Sequence, residues 1–368
     1  MGEEKAKYPQ PASPASPDLF PIFGQQGPTG IARLAAAGAD ARLGRDGHGL
    51  AFRTIETRSI LNRVVSKRMD YFQWGINPYR GCEFGCRYCY ARYTHEFMDK
   101  PDPLAFEREI YVKQNAAWLL RQELRQVAEG ETIAVGTATD PWQPIERRAQ
   151  VTRSLLEVFA EHEGLRLSMV TKSTLIERDI DLLKKIAARN QLTLCLTITT
   201  PDPRLARILE PRAPRPDLRF RTVARLREAG LRVGILCSPM MPGITDTPQA
   251  LERMAIRAKK ARACFFSSQP LFLKPCSRAV FLKFVEDHFP VLSAEYARRY
   301  GQRDFVTKAY HERVAALVKA VVRKYALGDR FDPGAKKLPQ PVWPVQGELW
   351  GRADRAPRET KPAFTRSA

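Results

Sequence analysis

Seven cysteines occur in the 368 residues, and three of them fall in one short run, Cys82-Glu83-Phe84-Gly85-Cys86-Arg87-Tyr88-Cys89. Thiolates at x3 and x2 spacing in a single loop can hold three irons of a cubane cluster and leave the fourth iron open. Gly81 and Gly85 supply the backbone freedom needed to wrap a chain around a metal centre. A rival reading adds His95 as fourth donor and makes the loop a Cys3His zinc site. Structural zinc usually staples small domains, however, and this loop opens a long array of alternating strands and helices. Cys195, Cys264 and Cys276 lack close-spaced partners, so a second cluster is not expected.

Two further groups of residues could do chemistry. Asp140, Glu146, Arg147, Arg148 and Arg153 surround Trp142, and charges around an aromatic platform suit a polar or nucleotide-like ligand. Helix capping with solvated arginines is the competing account. Between Arg204 and Arg232 there are nine arginines. With little aromatic interleaving, they could hold phosphates without reading bases, or form a solvated helix face. His48, His162, His288 and His311 are isolated and carry no assignment.

The elements that must position these groups follow from the apolar pattern. Strands are predicted at Thr132–Gly136, Arg166–Val170, Leu192–Thr199, Arg232–Ser238 and Cys264–Ser268. Helices are predicted near Val151–His162, Asp179–Asn190, on an Arg-rich stretch ending at Ala229, and near Pro248–Ala263. Strands spaced by helices at this rhythm imply βαβ units and a parallel sheet, either doubly wound or a complete or partial barrel. In both, function sits at the carboxyl ends of the strands. Segments near Pro275–Phe289, Ala294–Tyr300 and Phe305–Tyr325 read as helices packed on the outside.

With its aromatic Tyr88 before the last cysteine, Cys82-x3-Cys86-x2-Cys89 resembles the signature of the radical SAM superfamily. Within it, Asn77-Pro78-Tyr79-Arg80-Gly81-Cys82 through Cys89-Tyr90 is similar to the spore photoproduct lyase-like branch. Gly136-Thr137-Ala138-Thr139-Asp140-Pro141-Trp142, Val170-Thr171-Lys172-Ser173, Leu196-Thr197-Ile198-Thr199 and Pro239-Met240-Met241-Pro242-Gly243 follow in order, so the resemblance spans about 74–275. It implies a partial (β/α)6 barrel, of TIM type, in an α/β chain. It implies a 4Fe-4S cluster on Cys82, Cys86 and Cys89, with S-adenosylmethionine chelating the open iron. Reductive cleavage then gives methionine and a 5′-deoxyadenosyl radical that abstracts a substrate hydrogen, the electron coming from a reductant such as flavodoxin or ferredoxin. Carried over by position, Tyr88 lies near the adenine, Thr137, Thr139 and Asp140 approach the methionyl amino group, Lys172 pairs with the carboxylate, and Thr197 serves the ribose. The chain departs from spore photoproduct lyases proper, which carry a hydrogen-donating cysteine where Gly136-Thr137 stands here. The repair reaction in its usual form is therefore not implied; Cys237, at the end of a later strand, either substitutes as the donor or is an ordinary buried cysteine, the reading preferred.

Charge bears on the substrate. Lys and Arg total 60 against 40 Asp and Glu, a formal net charge of +20, and most of the excess lies in residues 53–332. Such a field attracts polyanions, nucleic acid above all, though it also serves as a solubilising surface. Nucleic acid is thus the substrate class singled out, with protein side chains and small molecules left open. The contrasting reading is a zinc-stabilised nucleic-acid-binding protein without catalysis. Segments 1–52 and 333–368 are Pro-rich and aperiodic and read as a disordered lead-in, with a short helix near Gly30–Ala37, and a basic tail whose Trp343 and Trp350 dock on the body. The division expected is 1–52, a barrel at 53–275, a helical extension at 276–332, and the tail 333–368. No apolar run is long enough to span a membrane, Met1–Gln10 does not read as a secretory signal, and an odd cysteine count does not suit a disulfide scaffold. Cytoplasm is the expected compartment.

Overall fold

A computed structural model of the chain describes residues 35, 38, 42–47, 49–65, 71–328 and 330. The helix expected near Gly30–Ala37, Ala35 apart, and the tail 333–368 with its two tryptophans lie outside them.

The strands, in chain order, are β1 (Arg42–Gly47), β2 (Leu50–Ile55), β3 (Leu61–Arg63), β4 (Trp74–Ile76), β5 (Tyr79–Arg80), β6 (Glu109–Lys113), β7 (Thr132–Val135), β8 (Arg166–Thr171), β9 (Gln191–Thr197), β10 (Val233–Met240) and β11 (Phe266–Pro270). The main helices are α1 (Ala116–Glu123), α2 (Val151–Glu161), α3 (Ile180–Arg189), α4 (Pro203–Leu209), α5 (Pro216–Glu228), α6 (Pro248–Lys260), α7 (Pro275–His288), α8 (Ser293–Tyr300) and α9 (Lys308–Lys324).

Seven strands form one sheet in the order β11-β10-β9-β8-β7-β4-β3. From β4 to β11 every neighbouring pair is parallel, and β3 closes the edge antiparallel. Six parallel strands alternating with helices are what the expected (β/α)6 partial barrel requires. Apolar residues dominate because both faces of such a sheet are covered. Ile133, Leu194, Leu196, Ile235 and Met240 are buried in one core with Leu155, Phe159, Leu183, Ile186, Val223 and Met254 from the surrounding helices.

Two expectations need correction. Residues 42–47 and 50–52 are not an irregular lead-in: β1 and β2 join β6 and β5 in a second, four-stranded sheet, order β1-β2-β6-β5. The single Arg-rich helix is two, α4 and α5, because Pro211, Pro214 and Pro216 interrupt it; proline lacks the amide that a helix interior uses. The remaining predicted strands and helices appear within one to three residues of their expected ends, and Gly136, at φ +89°, ends β7.

The second sheet delivers the chain to the cysteine loop, since β5 runs directly into Gly81-Cys82. From the opposite end of the sequence, α7 and α8 bring Phe281, Phe284, Val285, Tyr296 and Tyr300 into one apolar cluster with Cys82, Phe84, Cys86 and Tyr88. The helical extension is thus part of the wall around the loop. Among the described residues no helix is long and apolar enough to cross a membrane.

Candidate functional site

Gly81 starts the loop at φ +82°, in a place where a Cβ would meet the carbonyl oxygens of Glu109 and Phe106 at 2.6 and 2.8 Å. Gly85 turns it again at φ +61°. Four parts of the chain clamp the loop. Cys82 N donates to Phe106 O at 3.0 Å, and Arg87 N to Leu209 O at 2.9 Å. Glu83 N donates to Gln143 Oε1 at 2.8 Å, while its carboxylate accepts from Ile145 N at 2.6 Å. Arg92 donates to Cys86 O at 3.0 Å and ion-pairs with buried Glu107 at 2.6 Å. Each clamp satisfies a backbone group that the irregular loop would otherwise bury unpaired.

The three thiols are free and shielded: Cys82 and Cys86 are buried, Cys89 half-buried. Burial pushes all three up in pKa, Cys86 to about 12. Without metal they are protonated; an iron or cluster ligand must displace those protons.

Beside the thiols lies a buried charged group that the sequence does not disclose. Glu210, 1% exposed, follows the end of α4. Its Oε1 accepts from the Tyr88 hydroxyl and from Thr199 Oγ1 at 3.1 Å. Its Oε2 lies 2.5 Å from Nη2 of Arg219, itself 1% exposed. Arg219 also donates to Pro214 O at 2.7 Å and Thr197 O at 3.1 Å. Burial works against the Glu210 carboxylate, but Arg219 and Lys172 outweigh it and hold its pKa below the ordinary value. Burial likewise opposes the Lys172 ammonium, and the negative charges of Cys86, once it is a thiolate, and of Glu210 outweigh it in turn. Lys172 Nζ stands 5.6 Å from the Tyr88 ring centroid and, among the described residues, has no hydrogen-bond or ion-pair partner. A half-buried ammonium left open next to three thiols is a place for an anionic ligand.

The residues expected to contact a cofactor divide in two. Tyr88, Lys172 and the three cysteines gather at one site. Thr197, 5% exposed, ends β9 beside them, its carbonyl held by Arg219. Thr137, Thr139 and Asp140 brace the strand ends. Thr139 donates to Gly81 O at 2.6 Å, and the Thr137 carbonyl accepts from the Tyr90 hydroxyl. Asp140 accepts from Trp142 N at 3.0 Å, Thr171 Oγ1 at 2.6 Å and Lys172 N at 2.7 Å, tying β7 to β8.

Several other candidates have structural roles. Trp142 is fully buried and donates to Asp179 at 2.8 Å; Glu146, also fully buried, accepts from Tyr79, Thr152 N and Arg178. They are core, not a ligand platform. Of the arginine run, Arg219 is the internal cation above, Arg212 clamps the loop, and Arg215, Arg225 and Arg227 have local partners. Cys237, buried, points its sulfur at Thr199 O at 3.7 Å, whereas Cys276 lies 3.8 Å from Tyr90 O, next to the loop.

These residues fit a cluster better than a single zinc ion. His95, the fourth zinc ligand of the rival reading, is fully buried between Phe106 and Tyr111 with Nε2 2.9 Å from Glu109 O. Burial lowers its pKa to about 4, so it is a neutral core histidine. Three soft thiols in one clamped loop, open to an anion on one side, are the donor set of a thiolate-held iron–sulfur cluster.

Comparison with known proteins follows the same line. The radical SAM superfamily profile matches residues 76–255. An uncharacterised protein of Mycobacterium tuberculosis is 31% identical over 303 residues, covering 82% of this chain and 89% of that one. One from Methanocaldococcus jannaschii is 30% identical over 171 residues, 46% of this chain and 61% of its own. Among solved structures, a spore photoproduct lyase mutant matches with TM-score 0.56 and 16% identity, covering 83% of this chain and 85% of that one. Another, with bound AdoMet and dinucleoside spore photoproduct, matches at TM-score 0.54 and 14% identity with the same coverage. These two likenesses establish the fold.

Proposed function

The chain belongs to the radical SAM superfamily and is an enzyme of that class, and from that premise we propose that Cys82, Cys86 and Cys89 hold a 4Fe-4S cluster whose S-adenosylmethionine-derived radical takes a hydrogen from a nucleic-acid substrate. When bound, the cluster supplies the electron that cleaves S-adenosylmethionine, and the radical chemistry belongs to those cofactors. The protein contributes position, charge and dryness.

The observation that carries this reading is the open Lys172 ammonium beside the three-thiol loop, at the carboxyl ends of the strands. Its compact charge receives the carboxylate of S-adenosylmethionine. Tyr88, held by Glu210, forms the floor beneath it. Thr197 offers a hydroxyl to the ribose, and Asp140 fixes where Lys172 leaves β8. The aromatic wall from α7 and α8 keeps bulk water from the loop.

Support for a nucleic-acid substrate comes from the +20 charge and from the structural likeness to a lyase crystallised with a dinucleoside photoproduct. Gly136-Thr137 stands where the resemblance to spore photoproduct lyases puts their donor cysteine, so photoproduct reversal in its usual form is not implied. A flavodoxin or ferredoxin serves as the electron donor.

Anaerobically reconstituted protein tests the reading. About four irons per chain, and 5′-deoxyadenosine formed on reduction with S-adenosylmethionine, are expected; Cys86→Ala loses both. Stoichiometric zinc with no 5′-deoxyadenosine after iron–sulfide reconstitution would sink it. Deuterium transfer into 5′-deoxyadenosine from labelled DNA, RNA or peptide identifies the substrate class.

A further inference from the structure

Lys172 Nζ stands over the Tyr88 ring, 5.6 Å from its centroid, the Tyr88 hydroxyl donates to the buried carboxylate of Glu210, and the Lys172 amide donates to buried Asp140, yet the ammonium pairs with neither carboxylate. Asp140 is engaged by three protein donors. Glu210 is engaged on both oxygens, Oε1 by Tyr88 and Thr199, Oε2 by Arg219. Arg219 in turn is fixed by the Pro214 and Thr197 carbonyls, so its guanidinium cannot swing toward the thiols. A partly desolvated ammonium and a free carboxylate that share one tyrosine as neighbour attract strongly enough to close into a pair.

We propose that Arg219 is a positioning residue: by holding Glu210, it keeps the Lys172 ammonium open for the carboxylate of the incoming ligand. This rests on the reading of Lys172 as the carboxylate site for S-adenosylmethionine. The arrangement lets one buried carboxylate orient the Tyr88 platform without capturing the lysine above it. Arginine suits the task, because its charge does not titrate and its planar fork reaches a carboxylate and two carbonyls at once. An ion pair that merely fastened α5 to the end of β9 would need no lysine nearby.

The test compares two ligands on the reconstituted full-length protein, S-adenosylmethionine and its decarboxylated analogue. Wild type should bind the first more tightly. Arg219→Gln frees Glu210 to take Lys172, so S-adenosylmethionine binding should weaken about tenfold or more, with the analogue little changed. Removing the captor as well, in Arg219→Gln/Glu210→Gln, should restore binding to within about threefold of wild type. Should Arg219→Gln fail to fold, Arg219→Met/Glu210→Leu replaces the buried pair with apolar groups of similar volume and should keep the preference for the carboxylate. Equal losses for both ligands, no rescue in the double variant, or loss of the preference in the apolar pair would each overturn the proposal. Failure of the underlying reading shows differently: wild type itself would not prefer the carboxylated ligand, and the proposal would fall with it.

Discussion

At Gly81 the backbone takes φ +82° with carbonyl oxygens 2.6 and 2.8 Å from where a Cβ would sit. Both contacts are to backbone, so no side-chain rotation relieves them. Gly81→Ala should therefore cost roughly 1–3 kcal/mol in local strain and displace Cys82, which follows it. Iron content after reconstitution should fall below half that of wild type, and full loading would show that the loop tolerates the shift. The three cysteines and both glycines were legible in the sequence because they are neighbours along the chain. Glu210 and Arg219 were not: Glu210 meets Tyr88 across 122 positions, and Arg219 sits in an arginine run that reads as a solvated face. A buried arginine has no sequence signature until the fold supplies its partners.

Among the elements, the small sheet was the least legible. β1 (RLGRDG) carries few apolar residues, and β2 pairs with β6, more than fifty positions away. Lys113, at the end of β6, shows what that sheet encloses. It is 4% exposed, and burial, followed by the charge of Arg80, lowers its pKa to about 7; Glu123 pulls the other way. Its folded pKa lies below the unfolded one, so between about pH 7 and 10.5 the unfolded chain binds the extra proton. Stability then rises with pH across that window, at up to about 1.4 kcal/mol per unit. Denaturant titrations should find Lys113→Met more stable than wild type at pH 6.5, with the gap closing toward pH 10. A gap independent of pH would mean that Lys113 is charged and compensated in the folded protein. The parallel strands β7 to β11, by contrast, were read to within two residues at each end, since burial on both faces makes their runs rich in apolar residues.

Over the whole molecule, the +20 charge is the feature that bears on the substrate. Much of the arginine is already engaged: Arg92, Arg178 and Arg219 meet buried carboxylates, which removes them from any docking surface. Binding to duplex or single-stranded DNA should weaken linearly in log–log terms with salt, with a slope of about −3 or steeper if four or more phosphates are engaged. A flat salt dependence would leave the surface as a solubilising one and remove nucleic acid as the substrate class. Charge counts come from composition, but their placement inside or outside comes from the fold.

By itself the sequence determined the chemistry and the architecture that presents it. Cys82, Cys86 and Cys89 are close in the chain, and the βα rhythm is set by local apolar periodicity, so both are readable without coordinates. Only the tertiary structure decided which charges face inward. It moved Trp142 and Glu146 from candidate ligand platform to core, made His95 a neutral buried ring, and set Glu210 and Arg219 beside Lys172. Those assignments depend on burial and on partners from distant segments, and a side chain's charge and availability are properties of that environment more than of its type.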